Sequence, residues 1–156
     1  MTPTEGQFIA QSTAKLRANM NQIRLCLDQM GTKTIWARPN AESNSAANLC
    51  LHLAGNLGQL IGHAAGGQPD TRDRDGEFAA MQGLAAEEVF SLLQEAVERA
   101  CAVLEAMPPG RLDQSVEFRN RSWTVLEVVY KAVEHFALHT GQIIYIAKSA
   151  GTIRQT

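Results

Sequence analysis

The chain has 156 residues, 45% hydrophobic and 19% charged, with 14 Lys and Arg against 16 Asp and Glu for a formal net charge of -2. That length supports one core without disulfide or structural metal, so a single domain over 1–156 is expected, and the mixed charges give no basis for nucleic acid or an anionic membrane as partner. Cys26, Cys50 and Cys101 are scattered without any CxxC, which excludes a disulfide framework and a cysteine zinc site and reads them as buried and inert.

The start Met1-Thr2-Pro3-Thr4-Glu5 lacks the basic and apolar stretches of a signal peptide, which points to the cytoplasm. Ile9, Leu16, Ile23 and Met30, with Thr13, Met20 and Leu27 between them, alternate steps of three and four, so a first helix with one buried stripe ends at Gly31. A connection through Trp36 and Pro39 leads to Ser43 as the expected cap of a second helix, which carries Leu49, Leu53, Leu57 and Leu60 to about His63. Ser43 to Pro69 holds no charged residue and is long enough to span a bilayer, but Asn44, Asn48, His52, Asn56, Gln59 and His63 make it too polar for hydrocarbon.

Gly66 to Ala85 reads as a long crossover, its Arg72-Asp73-Arg74-Asp75 run a solvated, self-paired surface stretch and Phe78 a pin to the bundle. A third helix begins near Ala86, repeats Val89, Leu93, Ala96, Ala100, Val103 and Met107, and stops at Pro108-Pro109-Gly110. Gln114 to Arg121 suggests a small hairpin. Thr124 and Glu127 form a capping-box signature for a fourth helix through Val125, Val128, Ala132, Phe136, Ile143 and Ile146 to about Ser149. The expected fold is all-α: a four-helix bundle with a long crossover between the second and third helices, the alternative being an irregular all-α arrangement.

His135 and His139, four residues apart, share one face of the fourth helix about 6 Å apart along its axis, and that face is the apolar stripe. His52 lies at the edge of the second helix's stripe in a polar seam with Asn48, Asn56 and Gln59. If the second and fourth helices are antiparallel, the three imidazoles fall within about one turn of the same height. Three neutral imidazoles with water completing the shell suit Zn²⁺, Ni²⁺ or Fe²⁺, and Asn48 and Asn56 supply partners of the kind that orient ligands. His63 lies about 16 Å further along and reads as a helix-end residue.

These residues resemble the DinB/YfiT superfamily of metal-dependent enzymes. The matching features are Trp36, Asn44-Ser45, His52-Leu53-Ala54-Gly55-Asn56, Arg72-Asp73-Arg74-Asp75-Gly76-Glu77-Phe78 and His135-x-x-x-His139-Thr140-Gly141-Gln142-Ile143. The resemblance covers most of the chain. It implies a four-helix bundle, often a homodimer, with His52, His135 and His139 as metal triad, Gln142 as an orienting residue and low-molecular-weight thiols among the family's co-substrates. It recasts the Arg/Asp loop as a recurring family feature. The reading that follows is a hydrolase or thiol-dependent transferase acting on a small-molecule substrate, in which the metal activates water or a thiol. Its alternatives are a non-catalytic dimeric metal-binding or stress-response module and an empty polar core of hydrogen-bonded histidines.

Overall fold

Thr2 opens the first helix: its hydroxyl accepts the Glu5 amide while the Glu5 carboxylate accepts the Thr2 N–H, and Pro3 occupies the first turn where its missing donor costs nothing. This helix, α1, spans Pro3–Ile35 in the computed structural model, which describes residues 1–151. All seven stripe residues from Ile9 to Met30 are buried. The expected stop at Gly31 is a break rather than an end: Gly31 takes φ 70° and ψ 162°, and a further turn then runs to Ile35.

The second helix, α2, spans Ala46–Leu57. Its cap is Ser45, two residues beyond the expected Ser43, because Ser45 and Asn48 satisfy each other's backbone amides; Ser43 donates instead to Asn40 in the preceding turn. From Gly58 to Ala65 the same helix continues with wider π winding, past the expected end at His63. The crossover contains a short helix that the charged composition concealed, α3 at Arg74–Ala79, capped by the Asp73 carboxylate on the Gly76 amide. Next comes α4 at Ala86–Glu105, followed by a hairpin of β1, Ser115–Phe118, and β2, Arg121–Thr124. The hairpin extends three residues past its expected end and feeds directly into α5, Val125–Ser149, whose cap is the Thr124/Glu127 pair read from sequence.

The helix directions explain the length of the crossover. Leu51 and Leu92 border one groove and, further along, Gly66 packs against Val103, so α2 and α4 run parallel. A chain leaving the end of α2 must therefore return about 30 Å, the length of a twenty-residue helix, before α4 can start. On the other side Leu49 shares a groove with Ile146, and Leu60 shares a cavity with Val128, so α2 and α5 are antiparallel. Helices α1 and α2 face each other across the bundle, each packed between α4 and α5. Ion pairs of Arg17 with Glu98 and Glu105, and of Arg24 with Glu87, fix α1 antiparallel to α4 on the surface.

Cys26, Cys50 and Cys101 are free and buried, as expected. Among the described residues no helix is long and apolar enough to cross a membrane. The left-handed backbone at Gly31 has open space around it, so a side chain there meets strain but no clash. Gly31→Ala is expected to lower unfolding stability by about 1–3 kcal/mol, read from urea melts, with the far-ultraviolet spectrum unchanged.

Candidate metal centre

Antiparallel α2 and α5 bring His52 opposite His135 and His139. Their Nε2 atoms converge: His135 Nε2 lies 3.3 Å from that of His52 and 3.1 Å from that of His139. One ring nitrogen from each of the three lies within 4.8 Å of the others. Three nitrogens on one tetrahedral ion at ordinary lengths of about 2.0–2.1 Å sit about 3.3 Å apart, so the observed spacing fits a shared divalent ion. The three rings meet edge to face and do not stack.

What holds His52 comes from the crossover. The Glu77 carboxylate lies 3.0 Å from His52 Nδ1, and Arg72 grips the same carboxylate through Nε at 2.7 Å and Nη2 at 2.8 Å. Both side chains are nearly inaccessible, 2% exposed for Arg72 and 9% for Glu77. Arg72 Nη2 also lies 3.0 Å from His52 Nδ1, and these two neighbours make opposite demands on that nitrogen. A proton on Nδ1 donates to Glu77 and frees Nε2 as a ligand, whereas a bare Nδ1 would accept from Arg72 and put the proton on Nε2, against His135. The carboxylate is the stronger partner for the ring N–H, and Arg72 has that same carboxylate for its own donor, so the Nδ1–H form follows.

Gln142 bonds His139 from within its own helix, Oε1 to Nδ1 at 2.6 Å. His135 Nδ1 is buried without a partner among the described residues, so packing and the Nε2 contacts with His52 and His139 position that ring. Burial pushes the His52 pKa below its usual value, with the Arg72 charge adding and the Glu77 bond opposing. Burial and then the neighbouring His139 and His52 push His135 down to about 4.

The other expected site residues divide. Asn48 does not touch a histidine; its amide donates to the Glu77 and Ala80 carbonyls at 3.0 and 2.7 Å and its oxygen takes the Ser45 hydroxyl, so it fastens α3 in place. Asn56 borders the cavity beside His52. His63 stands apart, its Nδ1 on the Gln68 carbonyl. The expected solvated Arg/Asp loop is overturned for Arg72, which is buried because Glu77, His52 and Gln59 all offer it partners. Phe78 does pin the loop, its ring 4.7 Å from that of His52. Sequence reasoning gave Glu77 no role, though an apolar Phe78 inside a charged stretch marked the segment as docked. Gly55 also gains one: a Cβ there would overlap the Glu77 carboxylate, so only glycine lets α3 come this close.

The chain belongs to the DUF1572 family, described as "Protein of unknown function", whose profile matches residues 4–153. No curated protein matches the sequence. The structure is similar to a DinB-like protein of Bacillus subtilis, YjoA, at 17% identity and TM-score 0.72, covering 94% of this chain and 95% of that one. It is also similar to a conserved protein of Enterococcus faecalis at 19% identity and TM-score 0.75, covering 95% and 96%. At such identities the likeness shows the fold, and it is the DinB-like bundle that the sequence motifs implied.

The depressed histidines make metal-free stability depend on pH in one direction. Between about pH 6.5 and 4 the unfolded chain protonates His135 while the folded chain does not, so acid favours unfolding across that window and the effect levels off below it. Urea midpoints in the presence of chelator are expected to fall from pH 7 to 4.5. The decline should be shallower in His135→Gln, and an identical decline in both proteins would refute the assignment.

Proposed function

We propose that this protein is a metal-dependent enzyme of the hydrolase or thiol-dependent transferase type, with His52, His135 and His139 as its metal ligands. The observation that supports it most is that the Nε2 atoms of His52 and His139 both lie at ion-sharing distances from that of His135, with His52 backed by a buried carboxylate. Closed structural sites take four protein donors; among the described residues this group has three, and a cavity of about 360 Å³ bordered by His52 and His135 adjoins it. The nearest further carboxylate, Glu77, is committed to His52 and Arg72. An open coordination position favours catalysis over a purely structural ion.

When bound, a Zn²⁺, Ni²⁺ or Fe²⁺ ion supplies Lewis acidity that lowers the pKa of a coordinated water or thiol and polarises a substrate. The chain's own residues do the rest. Burial lowers the pKa of both His52 and His135, the latter to about 4, which favours the neutral rings whose lone pairs can ligate. Glu77 accepts the Nδ1–H of His52, Gln142 Oε1 accepts that of His139, and both rings are thereby held in the ligating tautomer. Asn48 and Arg38 hold the backbone of α3, and so the position of Glu77, from behind.

Protein purified without an affinity tag is expected to carry about one equivalent of transition metal, falling below about a tenth in His139→Ala; a tenth or less in the wild type would sink the reading. Gly55→Ala provides a subtler check. It leaves all three ligands in place and improves helix propensity, yet by displacing Glu77 it should weaken metal affinity about 10–100-fold in a chelator competition.

A further inference from the structure

The cavity beside the histidines is lined by five cations, Arg72, Arg74, Arg119, Arg121 and Lys131, and by no Asp or Glu. The whole chain has only 14 Lys and Arg and is net negative, so this concentration is not a sample of the average surface. Two of the five are already neutralised, Arg72 by Glu77 and Lys131 by Glu134. The other three form no ion pair among the described residues. Arg74 lies over the Phe78 ring, Arg121 over the Trp123 ring, and Arg119 over the Phe118 ring with one bond to Gln59. Each guanidinium is braced on an aromatic face, and its charge is left for something else.

Hairpin register accounts for the one-sided charge. Val116 pairs with Trp123 and Phe118 with Arg121, so these four share one face of the ribbon, while Glu117 pairs with Ser122 on the other. The turn between the strands is also costly for Arg119: it and Asn120 take φ of 51° and 59°, where glycine or asparagine is the usual choice. The arginine at 119 therefore stands against local preference. The remaining wall is apolar, Leu60, Phe118, Trp123 and Val128, and the Trp123 indole N–H is buried with no acceptor among the described residues.

We propose that this cavity binds a small molecule with a carboxylate or phosphate group joined to an apolar body, Arg119 and Arg121 holding the anion and Phe118, Trp123, Leu60 and Val128 taking the body beside His52 and His135. The proposal deepens the metalloenzyme reading by naming its substrate class, and rests on that reading only for what happens to the ligand after it binds. Guanidinium groups take both oxyanions in paired hydrogen bonds, so carboxylate and phosphate are the two sources of one chemistry.

The test titrates full-length protein, metal-free and zinc-loaded, with phenyl phosphate, benzoate and benzyl alcohol by calorimetry, with zinc stoichiometry measured on the same samples. One or both anions should saturate the metal-free protein while the alcohol does not, and which anion binds identifies the oxyanion. The double variant Arg119→Asn/Arg121→Gln, whose asparagine suits the left-handed turn, should bind the anion at least about tenfold more weakly with zinc stoichiometry unchanged. Equal binding of the alcohol, anion binding that survives the double variant, or no binding of any probe would overturn the proposal. Arginine-dependent anion binding by a protein that takes up no zinc would instead uphold it and defeat the metalloenzyme reading.

Discussion

A buried ion pair organises the site. Arg72 and Glu77 belong to the crossover, not to the bundle, and both are withdrawn from water against His52 on α2. Removing one partner from such a pair leaves an uncompensated buried charge and costs about 3–5 kcal/mol, whereas the intact pair contributes little net stability. Its value is specificity: it selects one tautomer of His52 and one docked position of α3. The loop that joins two parallel helices is therefore also the loop that aims a histidine.

That dual use follows from topology. Because α2 and α4 run parallel, the chain between them has to travel back along the bundle, and its path lies over the outer side of His52. Arg38 and Asn48 hold the Phe78, Glu77 and Ala80 carbonyls, giving α3 an anchor on the bundle at its last turn. Gly55 removes the side chain that would otherwise keep the carboxylate away.

The bundle and the triad were legible in the sequence for a definite reason. Helical periodicity carries faces, and the faces of α2 and α5 carried His52, His135 and His139 to the same interior. The stripe of α1 was read residue for residue. What was not legible depends on chain reversal and on pairing at a distance. Nothing local distinguishes Arg72, which is buried, from Arg74, which is exposed two residues on, since the difference lies in what each meets on α2. The cap of α2 lies at Ser45 and not at the expected Ser43 because the reciprocal backbone bonds with Asn48 decide for Ser45. The same pairing keeps Asn48 from the expected direct contact with a histidine. The two amide hydrogens of Asn48 are spent on the Glu77 and Ala80 carbonyls and its oxygen on Ser45 and Arg38, so it acts on His52 only through the position of Glu77.

The charge distribution constrains the chemistry further. A triad of neutral imidazoles contributes no negative charge, and the nearest carboxylate is balanced by Arg72. A divalent ion placed at the triad would therefore sit beside a wall with three unpaired guanidinium groups, all raising the local potential against it. Such a site holds its ion more weakly when the cavity is empty of anions than when it is occupied by one. If both proposed sites fill, ion and anion would assist each other's binding, each relieving the repulsion that the other would face alone. By reciprocity the two affinities must rise by the same factor. In a chain of net charge -2, Arg74, Arg119 and Arg121 lie around the cavity beside the three histidines, so the proposed anion site and the proposed metal site would be electrostatically coupled.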